Sequence, residues 1–352
     1  MKKVLKAVAL LSAITIGSFA CGKAGQAENS ASKSDSNEKI VVYSNSVSDG
    51  RGDFLKEEAK KAGFDIEIAD LGGNDLLNRV IAEKDAPVAD VVFGMNQMMF
   101  SKVAKEGILE SYKPKWLKDV DPQLVDTKNE FSPLQEQRVF MIYNADKIKP
   151  QDAPKSWEEL AKSGKKYIVP KGLGGATSNA IAYSMLMNYR DKGGKYDISK
   201  KGWKAIQDYF KNGNVPAEGQ SEIAELANGK ADYSYTWLSN VPIVEKSFNM
   251  KLGIVNPTYG VPQTVEQVGI IKKKDSNKKV KAFVDFLGSD KLQAEWAKKF
   301  GSAPVNKKAQ ANINPRIKQI LKETTPQKND YKFINAHLDD WVEHIELNVL
   351  SH

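Results

Sequence analysis

Ile40-Val41-Val42-Tyr43-Ser44-Asn45-Ser46, Phe64-Asp65-Ile66-Glu67-Ile68 and Ala89-Asp90-Val91-Val92-Phe93-Gly94-Met95-Asn96-Gln97 carry three short apolar runs rich in β-branched residues. Stretches with helical spacing, from about Asp53 to Ala62 and from Asp75 to Glu83, separate them. Short Val/Ile runs read as buried strands, and strands alternating with helices of these lengths predict an α/β fold whose parallel sheet is covered on both faces. The first and third runs end in polar triplets, Ser44-Asn45-Ser46 and Met95-Asn96-Gln97. Open α/β sheets bind ligands beyond the carboxyl ends of their strands. The same residue types also cap the helix that follows, and one of the two triplets is expected to do only that.

Further along lies Tyr167-Ile168-Val169-Pro170, then Lys171-Gly172-Leu173-Gly174-Gly175-Ala176-Thr177-Ser178-Asn179, then the apolar run Ala180 to Met187. This predicts a short strand ending at Pro170, a glycine turn, and a helix capped by Thr177, Ser178 or Asn179. Such a turn leaves N–H groups free at the positive end of a helix dipole, where anionic or strongly polar atoms bind. It also serves as a plain tight connection, and both readings are open. There is no Gly-Lys-Ser/Thr ending, and the spacing of Gly172, Gly174 and Gly175 misses the dinucleotide fingerprint, so a nucleotide is not expected here. In Ala231 to Pro242, a strand with Tyr233, Tyr235 and Trp237 on one face breaks into Ser239-Asn240. That offers aromatic surface and two hydrogen-bonding side chains, or else strand core and a helix cap. Trp296 and Trp341 lie at helical spacing from Phe300, Leu338 and Ile345 and read as core.

At 352 residues, 41% hydrophobic and 27% charged, the chain has the size of two soluble lobes. No apolar stretch long enough to span a membrane follows the N-terminus. There, Lys2, Lys3 and Lys6 precede the apolar run Ala7 to Phe19, which ends at Ala20-Cys21-Gly22. This reads as a signal peptide over 1–20 whose cleavage exposes Cys21 for lipid attachment, followed by a polar tether over 21–38. A plain signal peptide with an idle cysteine is the alternative, since Ser18 and Phe19 are unusual before a lipidated cysteine. Without the three lysines the balance is 49 basic to 44 acidic residues, a charge of +5 that is too small and dispersed for nucleic-acid binding. His337, His344 and His352 all fall in the last sixteen residues, away from every expected strand end. His337 and His344 lie two turns apart on one helix face, which reads as a partly exposed face ahead of a metal site. With no nucleophile–base pattern or paired carboxylates, no catalytic residue, metal or cofactor is expected.

The segments Leu76-Leu77-Asn78-Arg79-Val80, Ala89 to Asn96, Gly107-Ile108-Leu109-Glu110, Phe131-Ser132-Pro133-Leu134-Gln135 with Val139 to Asn144, Ser156-Trp157-Glu158-Glu159-Leu160, and Ser302-Ala303-Pro304-Val305-Asn306 carry a family resemblance. In collinear order over about residues 39 to 310, the chain resembles bacterial extracellular solute-binding proteins of ABC importers. The group it is similar to includes ferric-ion, thiamine and phosphonate or sugar-phosphate binders. The resemblance implies a two-lobed periplasmic-binding-protein fold of type II, with crossing hinge strands and lobes that close on solute. Lobe one would be 39–136 plus 262–352, with the helices from Lys278 to Phe300, Asn314 to Leu321 and Tyr331 to Leu350 outside it; lobe two would be 137–261. It also implies a monomer on the outer side of the cell membrane, delivering a small solute to a membrane permease.

The resemblance places ligand at Ser44, Asn45, Ser46, Asn96, Gln135, Gly174, Gly175, Ala176, Thr177, Ser178, Trp237, Ser239 and Asn240, with Tyr259, Gln263 and Thr264 as weaker candidates. The histidine, glutamate and paired tyrosines of ferric binders correspond to Val47, Met95 or Asn96, and Leu238-Ser239. The two acids of thiamine binders correspond to Asn96 and Gln135. Iron would need another set, from Tyr233, Tyr235, Tyr259, Asp49 or Glu136. With Arg138 included, the lining reads as amide-rich and neutral to basic, so an organic phosphate or phosphonate is expected. Ferric iron and thiamine are the alternatives within the class, and a surface enzyme is a remote one.

Overall fold

β1 (Ile40–Ser44) pairs in parallel with β2 (Ile66–Asp70) on one side and with β3 (Val91–Asn96) on the other. The helices α1 (Arg51–Lys61), α2 (Gly73–Ala82) and α3 (Gln97–Lys105) connect or follow these strands, the first two within two residues of where the sequence puts them. This is a computed structural model, and it describes residues 39–274 and 278–350. The expected signal peptide, Cys21 and the polar tether lie outside the described residues, as does His352.

Strand periodicity splits the side chains of this sheet between two cores. Ile40, Val42, Val91 and Phe93 pack on one face with Phe54 and Leu55 of α1. Tyr43, Val92 and Met95 pack on the other with Leu76, Leu77, Phe100 and Val103 of α2 and α3. β4 (Leu109–Glu110) is a short edge piece, and the 13-residue β5 (Ser132–Asn144) then leaves this half of the molecule.

The second half contains α4 (Trp157–Lys162), α5 (Ala176–Leu186), the exposed β6 (Arg190–Lys195), α6 (Lys200–Asn212), α7 (Glu222–Ala227), β7 (Tyr233–Trp237), α8 (Val241–Ser247) and β8 (Leu252–Ile254). β7 and β8 pair with the last six residues of β5 from Val139 onward. β9 (Gln263–Ile271) returns to the first half, antiparallel to β3 and to Ser132–Arg138 of β5. The strand order is β10-β5-β9-β3-β1-β2, where β10 is Ala303–Pro304. The sheet is therefore mixed: β5 and β9 are the crossing strands of a two-lobed, type II periplasmic-binding-protein fold. The all-parallel expectation fails at β9, which inserts between β3 and β5.

Alternation along β5 builds the second half in the same way. Val139, Met141 and Tyr143 face α4, α5 and α6, while Phe140 and Ile142 face Ile223, Leu226 and Val241 of α7 and α8. Tyr167 to Val169 are buried but form isolated bridges to Tyr233 and Asn214 in place of the expected strand.

The C-terminal region departs further from the sequence reading. The helix expected over 278–300 is two, α9 (Lys278–Leu287) and α10 (Asp290–Phe300), broken where the Ser289 hydroxyl caps the second. Both pack on the first half. By contrast, α11 (Pro315–Glu323) and α12 (Tyr331–Ile345) belong to the second. Ile317 and Ile320 share a core with Phe140 and Leu238, and Ile334, Leu338, Trp341 and Ile345 share one with α5 and α6.

Candidate functional site

The turn after β1 is held by Ser44, whose Oγ accepts the Ser46 N–H at 3.0 Å. Asp49 and Gly50 then take left-handed backbone conformations, at φ 56° and 81°. Gly94 of β3, at φ 102°, lies against this turn so closely that a Cβ there would meet Asn45 Oδ1 at 2.5 Å and Ser46 Oγ at 2.6 Å. Only glycine lets the ends of β1 and β3 approach in this way. Asn96 closes β3 and caps α3, with its Oδ1 accepting the N–H groups of Met98 and Met99 at 3.1 and 3.0 Å. The expectation that one polar triplet would cap a helix is met here.

From the second half comes the glycine turn. Its helix, α5, begins one residue before any of the expected caps: Gly175 is the N-cap, and Ser178 Oγ donates to the Gly175 carbonyl at 3.0 Å. The N–H groups of the first turn have no acceptor inside the helix. These segments meet around a cavity of about 570 Å³. Asn45, Ser46, Asn96, Gln135, Gly174, Gly175, Ala176, Thr177, Trp237, Ser239 and Asn240 line it, and Thr264 does too. Ser44 and Ser178 do not: Ser44 is wholly buried and supports the turn, and Ser178 is spent on its own helix start. Gln263 and Tyr259 are not in the lining either.

Arg138 points away from the cavity. Its guanidinium pairs with Glu136 and donates to the Thr324 carbonyl at 2.7 Å, tying the crossing strand to the end of α11. The lining is in fact acidic on balance, with Asp49, Glu266, Asp339 and Glu346 against Arg51 and Lys102. Arg51 pairs with Asp49 at 3.2 Å, and Lys102 with Asp339 at 2.6 Å. Tyr233 and Tyr235 pack in the second half's core, and Tyr259 donates to Glu158 at 3.2 Å. Burial raises all three phenols above their ordinary value, which disfavours the phenolate that a ferric ion needs. Among the described residues, no group of three or more His, Cys, Asp and Glu is placed to hold a metal ion.

Sequence reasoning missed several lining residues. Glu266, in the middle of β9, sits in register between Asn96 of β3 and Gln135 of β5. Its carboxyl accepts from Ser46 Oγ at 2.9 Å and from Gln137 Nε2 at 3.3 Å. Burial raises its pKa, while the bonds from Ser46 and Gln137 and the Arg51 charge pull the other way. The available signal was a lone acid inside the otherwise uncharged run Gln263 to Ile271. Also missed was α12, which presents Leu338, Asp339 and Val342 to the cavity, followed by Glu346. The Glu346 carboxylate accepts the Leu173 N–H on the glycine turn. Across the gap, Asn74 of α2 donates to the Gly174 carbonyl at 2.8 Å. Three buried polar atoms in the lining have no partner: Asn45 Oδ1, Asn179 Oδ1 and Ser302 Oγ. A buried polar atom without a partner costs about 1–3 kcal/mol, so a polar solute that satisfies such atoms gains affinity from them.

Two crossing strands, two lobes and a polar cavity between them define a hinged binding protein. The chain belongs to the bacterial extracellular solute-binding protein family, whose model matches residues 54–322. It is 30% identical, over 88% of its length and 86% of the relative's, to a probable ABC transporter periplasmic-binding protein, y4fP, of Sinorhizobium fredii. Among solved structures, it is similar to the ferric binding protein from Campylobacter jejuni, at a TM-score of 0.73 and 16% identity, covering 88% of this chain and 99% of that one. It is also similar to the periplasmic binding protein AfuA from Actinobacillus pleuropneumoniae with fructose-6-phosphate bound, at a TM-score of 0.69 and 18% identity, covering 88% and 98%.

Proposed function

We propose that this chain is the solute-capturing lipoprotein of an ABC importer, held on the outer side of the cell membrane by a lipid on Cys21. It takes a small organic phosphate or phosphonate into the cavity between its lobes and delivers it, chemically unchanged, to a membrane permease. Shared cores support a first lobe of about 39–138 plus 263–312 and a second of about 139–262 plus 313–350. The observation that carries the reading is the first turn of α5, Ala176 and Thr177, opening onto the cavity; the unpartnered oxygens of Asn45 and Asn179 in the same lining are acceptors and suit donor groups on the organic part of the solute. Helix N-termini favour anions, and amides and hydroxyls complete the coordination of an oxyanion. A cavity of about 570 Å³ suits a small organic molecule better than a bare ion. Two of the proteins it is similar to, named as a probable ABC transporter periplasmic-binding protein and as a periplasmic binding protein with fructose-6-phosphate bound, agree with this. Iron is the weaker reading because no tyrosine or histidine is in the lining.

Differential scanning fluorimetry tests the proposal with fructose 6-phosphate, 2-aminoethylphosphonate, thiamine and ferric citrate. A ligand at 100 times its Kd stabilises the fold by about 2.7 kcal/mol. At least one organophosphorus compound is expected to raise Tm, and Thr177→Pro is expected to abolish the shift by disturbing the first turn of α5. A rise with ferric citrate or thiamine alone overturns the ligand assignment.

A further inference from the structure

The helix N-terminus accounts for one end of a solute, and the cavity has a second feature of opposite character. Glu266 lies between Asn96 and Gln135 in the sheet, where both crossing strands run and the two lobes join. A chain of hydrogen bonds passes through it. Ser46 Oγ, from the first lobe, donates to Glu266 Oε2 at 2.9 Å, and Gln137 Nε2 donates to Oε1 at 3.3 Å. Gln137 Nε2 also lies 3.2 Å from Ser239 Oγ, and Gln137 Oε1 accepts the Ser239 N–H at 3.4 Å, which fixes the orientation of the amide. The cation whose charge acts on the carboxyl, Arg51, is already paired with Asp49. A carboxylate has about four acceptor sites, and two of these are taken. Glu266 lines the cavity and is half-buried, so partial loss of water makes an uncompensated negative charge there costly.

We propose that Glu266 is the specificity-determining residue of the site: it accepts a hydrogen bond from a hydroxyl or ammonium group on the solute, and so selects organophosphorus compounds that carry such a donor. This rests on the oxyanion reading above and deepens it. The first turn of α5 and Glu266 line the same cavity, so an oxyanion held at the one leaves the rest of the solute to meet the carboxyl. A solute with an apolar end there covers a half-buried carboxyl and leaves it undercompensated; one with a donor satisfies it. Polar sites reject analogues lacking the matching group more strongly than apolar pockets reject extra bulk.

Isothermal titration calorimetry of the wild-type chain and Glu266→Gln tests the proposal with two matched pairs. These are 2-aminoethylphosphonate against ethylphosphonate, and glycerol 1-phosphate against propyl phosphate. The wild type is expected to favour the donor-bearing member of at least one pair by about 10-fold or more. The first pair reports an ammonium group and the second a hydroxyl. In Glu266→Gln the preference should fall to within about threefold, with affinity for the donor-free member retained. A part played only in holding the lobes together would weaken both members alike and leave their ratio unchanged. Equal binding within both pairs by the wild type overturns the role of Glu266 whether or not the variant folds, and so does a preserved ratio in the variant. Binding of none of the four compounds overturns the oxyanion reading, and this inference with it.

Discussion

A methyl group at position 94 would lie 2.5 Å from Asn45 Oδ1 on a backbone at φ 102°. Gly94→Ala should therefore cost about 1–3 kcal/mol of stability and also remove solute binding, because the turn carrying Asn45 and Ser46 must move. Denaturant melts with and without solute measure both effects. Glu266 gives a prediction of the opposite sign. Its carboxyl titrates above the ordinary 4.5 when folded, mainly through burial. Between the two values the folded chain holds more protons than the unfolded one, so stability falls as pH rises through that window and stays lower above it. Glu266→Gln removes this term. The solute-free variant should melt above the wild type at neutral pH, with the difference fading as pH falls through that window toward 4.5. A variant that melts lower at neutral pH would contradict this. At this scale the sequence was legible where a polar side chain follows a strand end, as at Asn45, Ser46 and Ser239. It was not legible at Glu266, whose strand pattern tells nothing of which neighbours converge on it. Asn96 was legible as polar, but its oxygen is committed to α3.

Among the elements, α12 was the clearest case of a face without a known partner. The spacing of Leu338, Trp341 and Ile345 specified an amphipathic helix, and helical periodicity identifies a buried stripe without saying what covers it. That stripe packs on the second half. Trp341 is 1% exposed, and its Nε1 donates to the Tyr196 carbonyl at 3.0 Å. Trp341→Ala should lose about 3–5 kcal/mol, read from denaturant melts, and reduce solute binding as well, since the same helix carries Leu338, Asp339 and Val342 into the cavity. Retained affinity in a folded Trp341→Ala chain would argue against any part for α12 in the site. The glycine turn shows the complementary limit. Its place at a helix start was legible, but Gly175 as the cap was not, because the Ser178 hydroxyl that would ordinarily mark a cap sits at the third helical position.

For the molecule as a whole, the alternation of strands and helices over 40–96 predicted the α/β class, and the family resemblance at Phe131 to Asn144 implied a crossing strand. The antiparallel insertion of β9 was not legible, since the register of a returning strand depends on contacts more than 100 residues away in the chain. That insertion brings Glu266 and Thr264 to the junction of the lobes. Across the cavity, Asn74 donates to Gly174, and Lys102 pairs with Asp339. Such contacts favour a closed arrangement, and a solute gripped from both sides shifts the population further toward it. The most direct test is hydrogen–deuterium exchange of the full chain, with and without whichever compound raises Tm most. The account predicts slowed exchange together at 44–49, 94–99, 173–179 and 237–240, segments drawn from both lobes. Protection confined to one lobe, or to surfaces away from this cavity, would contradict it.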